Sequence, residues 1–178
     1  MLIYDTETTG LVLPGLVPLK DQPQIIEFAG IKLDDETLEE VERLDFLVHP
    51  GCQLPEEIIK ITHITDEMLV GQKPFAAHYA DLCSFFVGET TLVAHNLMFD
   101  LSMLRFELER IGKQFAFPYP YKQVCTVEAS FGLYNKRLHL GELHLCAAGT
   151  NFKDAHRAMA DTQALVECVR WLREKELM

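Results

Sequence analysis

Basic residues are in short supply in this chain. Its 178 residues hold 16 Lys and Arg against 27 Asp and Glu, a formal net charge of −11. A module that grips nucleic acid passively does so with a basic face that replaces phosphate counterions, so that class is disfavoured. An enzyme that meets phosphate through bound cations is not excluded, because divalent ions held by acids place positive charge where a substrate reacts. Long apolar runs are missing too: Leu101 to Leu108 is interrupted by charge and too short to span a bilayer. The opening MLIYDTETTG has no basic start and carries two acids, unlike a secretory leader. Cys52, Cys83, Cys125, Cys146 and Cys168 are scattered with no CxxC spacing. That argues against a zinc ribbon or disulfide framework and for reduced thiols in a cytoplasm. No repeat, low-complexity tract or linker divides the sequence, so one domain over residues 1–178 is expected, large enough to bury its own core.

What is present reads as an α/β protein. MLIYDTE is strand-like from its first residue and leads into a loop rich in Pro and Gly. Strands are expected at Ile25 to Leu33 and Val41 to Val48, around the acidic turn LDDETLEE. Pro55 introduces a short helical region, and a helix is expected from Pro74 to Val87. The β-branched run TTLVAHN predicts a strand, and LMFDLSMLRFELERIG has helical periodicity stopping at Gly112. Helical stretches follow near Thr126 to Leu133 and Leu138 to Ala147, and a last helix runs to about Lys175 with Asp154 as its expected N-cap. The order predicts a mixed sheet with helices packed on it.

Several acids occupy positions that chain periodicity directs inward. Asp5 and Glu7 stand two apart in the first strand, on one sheet face with Ile3. A lone Asp-x-Glu is as readily two surface acids at a strand end. Asp161 falls three residues after Ala158 and four before Leu165, inside the apolar stripe of the last helix that continues through Val169 and Leu172. A carboxylate facing a core is costly unless it is paired or holds a metal, and an ion pair is the plainer account. Asp100 repeats the anomaly, three residues after Leu97 and four before Leu104. Convergence of these acids on shared Mg²⁺ or Mn²⁺ explains all four together.

His156 stands five residues before Asp161. On an ideal helix that is about 140° of rotation and about 7.5 Å of rise, too far apart to ligate one ion together. With Asp154 as N-cap, His156 would be the second helical residue, where the helix dipole favours a neutral imidazole able to take a proton from water. A surface or capping histidine is the plainer alternative.

DTETTG at Asp5 to Gly10, HNLMFD at His95 to Asp100 and HRAMAD at His156 to Asp161 together resemble the three motifs of the DEDDh exonucleases. That family includes proofreading subunits and domains of bacterial replicative polymerases, RNase T and oligoribonuclease. The resemblance covers essentially the whole chain, and ITHITDEML at Ile61 to Leu69 resembles a further stretch of the proofreading domains, with His63 where glycine often stands. It implies an RNase H-like fold and 3′–5′ hydrolysis of single-stranded or frayed DNA or RNA to nucleoside 5′-monophosphates. It implies that Asp5, Glu7, Asp100 and Asp161 bind two divalent ions, Mg²⁺ or Mn²⁺, and that His156 is the general base. It also implies that Thr8, Leu11, His95 and Phe99 hold the terminal nucleotide, and it leaves open a free-standing enzyme or one with a DNA polymerase as partner. Phe99 is equally placed for core packing, and His95 with Asn96 for fixing a strand-to-helix turn.

Two rivals stand beside this reading. A metal-dependent phosphatase shares the acids without needing His156. A non-catalytic scaffold docking to a polymerase would not need the intact set of five.

Overall fold

Both faces of LIYDTET bury apolar side chains, so this segment can only be an interior strand. The computed structural model describes residues 1–153 and 155–178, and in it β1 (Leu2–Thr8) is the middle strand of five. β2 (Ile25–Leu33) and β3 (Glu40–Leu47) follow as an antiparallel meander on one side. β4 (Thr91–Ala94) and β5 (Lys122–Cys125) lie parallel on the other, giving the order β3-β2-β1-β4-β5.

Seven helices are present among the described residues. α1 (Glu56–Thr62), α2 (Asp66–Leu69) and α3 (Phe75–Phe86) lie between β3 and β4. α4 (Leu97–Arg110) follows β4, and α5 (Thr126–Tyr134), α6 (Leu140–Ala148) and α7 (Ala158–Glu174) complete the chain. Two cores result. Tyr4, Phe28 and Leu92 pack with Phe86 of α3 and Leu104 of α4; Ile3, Ile31 and Val93 pack with Leu143 of α6 and Leu165 and Val169 of α7. The single domain with a mixed sheet between helices is the expected RNase H-like fold. No described helix is long and apolar enough to cross a membrane.

Several local features depart from what the sequence pattern shows. β5 and α2 escape periodicity, being four residues each. In α4 the buried face runs through Leu97, Asp100, Met103, Leu104, Glu107 and Leu108, while Leu101 and Ile111 are partly buried. Glu107 is turned inward because its carboxylate accepts the backbone N–H of Ile25 at 3.0 Å, while Arg110 donates to the carbonyls of Leu19, Gln22 and Pro23. Finally, α7 begins at Ala158 with Arg157 as N-cap, so His156 precedes the helix, in a left-handed conformation with φ +66°. The N-cap expected at Asp154 lies outside the described residues.

His63 also has a conformational explanation. It ends α1 with φ +57°, the left-handed conformation that glycine adopts without steric cost.

Candidate active site

The carboxyl end of β1 is where the anomalous acids meet. Asp5 and Glu7 share one face of the strand, and the ladder with β2 slips register between Glu7 and Thr8, a bulge of the kind that re-aims side chains at strand ends. Asp100 enters from the first turn of α4 and Asp161 from the first turn of α7, so two positive helix ends point at the same place. The backbone N–H and hydroxyl of Thr6 donate to Oδ1 of Asp100 at 3.1 and 2.7 Å. The backbone N–H of His156 donates to Oδ2 of Asp161 at 3.3 Å.

Because His156 sits in a turn, the separation calculated for a straight helix does not apply. A ligand-capable atom from each of Glu7, His156 and Asp161 lies within 4.8 Å of the other two. All five motif residues line one open cleft of about 550 Å³. Leu11, His95 and Phe99 line it as well. Leu11 is exposed, whereas Phe99 is half-buried and also packs on the α3–α4 core. Thr8 is buried, and its hydroxyl donates to the carbonyl of Gly10 at the turn after β1.

His95 is held at both ring nitrogens. Nε2 lies 3.1 Å from the carbonyl of Leu138 and must donate to it, which leaves Nδ1 to accept the Thr126 hydroxyl at 2.9 Å. Burial pushes its pKa down to about 4, so the ring is neutral near pH 7. Asn96, with φ +65°, turns the chain from β4 into α4.

The electrostatics of the acids are self-opposed. Burial, then mutual repulsion, raises Asp5 well above the carboxylate range and Glu7 to about 8. Burial likewise lifts Asp100 to about 7, against hydrogen bonds from Thr6, and Asp161 to about 6. Oδ1 of Asp161 is buried without a hydrogen-bond partner among the described residues. Hard oxygen donors crowded at this cost, one of them unpartnered, fit divalent cations such as Mg²⁺ or Mn²⁺.

Sequence reasoning missed several residues of this region. Arg137 and His139 line the cleft from the segment before α6; their signal was a basic run, NKRLHL, in an acidic chain. Glu27 and Arg157 lie beside it, and nothing local in the sequence links them.

The pattern that defines the exonuclease family matches residues 2–169. Over 168 residues the chain is 35% identical to DNA polymerase III subunit epsilon of Treponema pallidum, covering 92% of this chain and 72% of that protein. It is 30% identical over 174 residues to the PolC-type DNA polymerase III of Clostridium perfringens, covering 96% of this chain but only 11% of that protein. Among solved structures, the nuclease domain of 3'hExo, a DEDDh family member bound to rAMP, has a TM-score of 0.77 at 18% identity, covering 98% of this chain and 90% of that one. Exonuclease X in complex with 5′ overhanging duplex DNA has a TM-score of 0.68 at 20% identity, covering 98% and 91%. These structures share the fold.

Proposed function

The chain belongs to the exonuclease family, and from that premise we propose that it removes nucleotides singly from the 3′ end of single-stranded or frayed DNA, releasing nucleoside 5′-monophosphates. The observation that carries this reading is the convergence of Asp5, Glu7, Asp100, Asp161 and His156 on one open cleft. The four carboxylates are the residues that would hold two divalent cations. Such cations, when bound, supply positive charge to the scissile phosphate and acidify the attacking water. His156 takes the proton from that water, its backbone anchored on Asp161. Leu11 and Phe99 offer apolar surface to the terminal base and sugar, and Thr8 and His95 shape the turns on either side. The epsilon and PolC relatives support DNA as the substrate and a replicative polymerase as a partner. The free cysteines support a reducing cytoplasm.

The test is digestion, with Mg²⁺, of 5′-labelled single-stranded DNA, duplex DNA with a mispaired end, and RNA of matched sequence. A ladder shortening from the 3′ end, faster on DNA, is expected. A labelled mononucleotide as first product overturns the polarity, and nicking of a closed circle overturns exonuclease action. Faster loss of RNA transfers the reading to an exoribonuclease. A protein inert on all three that hydrolyses a simple phosphodiester is the phosphatase, and one inert on that as well is the docking scaffold.

A further inference from the structure

Glu27 is a fifth carboxylate at this site. It stands on β2 directly opposite Glu7 and is only 6% exposed. Arg157, the residue between His156 and α7, closes on it. Arg157 Nε donates to Oε1 and Oε2 at 3.2 and 3.1 Å, and Nη2 donates to Oε1 at 2.7 Å. The backbone N–H of Ala158, first residue of α7, donates to Oε2 at 2.8 Å. Glu27 therefore binds two consecutive residues of the distant segment, one through its side chain and one through its main chain. A forked guanidinium–carboxylate pair restricts orientation as well as distance.

The neighbour of this pair is the strained residue. His156 holds φ +66°, and Arg157 returns at once to an extended conformation with φ −123° and ψ 123°. A left-handed turn at a residue other than glycine persists when its surroundings over-determine it. On one side of His156 lies the Arg157–Glu27 pair, and from its own N–H runs the bond to Asp161.

We propose that Glu27 and Arg157 form a positioning clamp that fixes the turn at His156 and so aims its imidazole into the cleft. The clamp also occupies Glu27 with a partner of opposite charge, keeping this carboxylate apart from the four acids beside it. This rests on the reading of His156 as the proton acceptor. Neither Glu27 nor Arg157 is assigned contact with substrate; both act through His156.

A double-mutant cycle in the full chain tests it. Single-turnover cleavage of a single-stranded DNA oligonucleotide at saturating Mn²⁺, Mn²⁺ affinity and melting temperature are measured for Arg157→Ala, Glu27→Gln, His156→Ala and the two pairwise combinations with His156→Ala. Arg157→Ala should lose roughly 10- to 100-fold in rate, the scale of a small misplacement of a reacting group, with Mn²⁺ affinity near that of the parent. In the His156→Ala background the same change should cost nothing further. Where Arg157→Ala fails to fold, Glu27→Gln keeps an acceptor for the Ala158 N–H and should show the same dependence on His156. Equal losses with and without His156 overturn the clamp, as does a parental rate in Arg157→Ala. A parental rate in His156→Ala alone instead overturns the proton-acceptor reading on which the clamp depends.

Discussion

Glu7 and Glu27 face each other as a cross-strand pair of acids in the β1–β2 ladder, an arrangement that destabilises a sheet when both are ionised. Glu7, Asp100 and Asp161, with pKa values of about 8, 7 and 6, bind protons more tightly folded than unfolded. Protonation therefore favours the folded state. Their contribution to metal-free stability should be fully present below the unfolded carboxylate values of about 4 and be lost as pH rises from there to about 8, the reverse of ordinary acid denaturation. Thermal melts in chelator between about pH 5 and pH 8.5 check the sign, and millimolar Mg²⁺ should flatten the trend by mass action. A melting temperature that climbs over this range in chelator would show that the acids carry no such strain.

Asp161→Ala and His156→Ala should separate metal binding from proton transfer. Asp161→Ala removes a half-buried carboxylate whose buried Oδ1 lacks a partner among the described residues. It should abolish activity and weaken Mn²⁺ together, while leaving the metal-free fold at least as stable as the parent. His156→Ala should lose roughly 10²–10⁴-fold in turnover with nearly unchanged Mn²⁺ affinity. Titration calorimetry and single-turnover rates decide between them. Because His156 lies within ligand distance of Glu7 and Asp161, equal loss of Mn²⁺ binding in both variants would make it a ligand and leave the water to another base.

Arg137 is a basic side chain on the cleft wall, and its guanidinium pairs with Glu128. Arg137→Ala should raise KM severalfold and reduce the salt slope of substrate binding by about one, with kcat nearly unchanged. The parent slope itself should be shallow for a nuclease, given the net charge of −11. Fluorescence anisotropy across a salt series, with Ca²⁺ in place of Mg²⁺, reads both. A parental KM and slope would leave Arg137 without a part in binding.

Gly30 on β2 makes a stability prediction away from the cleft. A Cβ there would lie 2.6 Å from Cε1 of Phe85, inside the α3–α4 core. Gly30→Ala should cost roughly 1–3 kcal/mol through overpacking. Chemical denaturation measures it, and Phe85→Leu in the same chain should recover part of the loss.

The acids were legible because each was an exception to a local rule. Spacing of two on a strand, or of three and four on a helix, follows from backbone geometry alone, so Asp5, Glu7, Asp100 and Asp161 declared their faces without any tertiary information. The same rule recovered β1, β2, α3, α4 and the body of α7. It failed for β5, where Lys122 and Gln123 are exposed and the strand exists because β4 offers it a parallel edge.

The start of α7 shows the boundary most clearly. Helical pattern reached back past His156, yet the helix begins at Ala158, whose N–H is taken by Glu27 from 131 positions earlier in the chain. The sequence by itself determined which acids are candidates for the site and which faces they occupy, since both follow from side-chain type and local period. Only the tertiary structure decided that His156 stands in a strained turn within reach of Glu7 and Asp161, because that turn is held by strand and helix residues brought together across the fold.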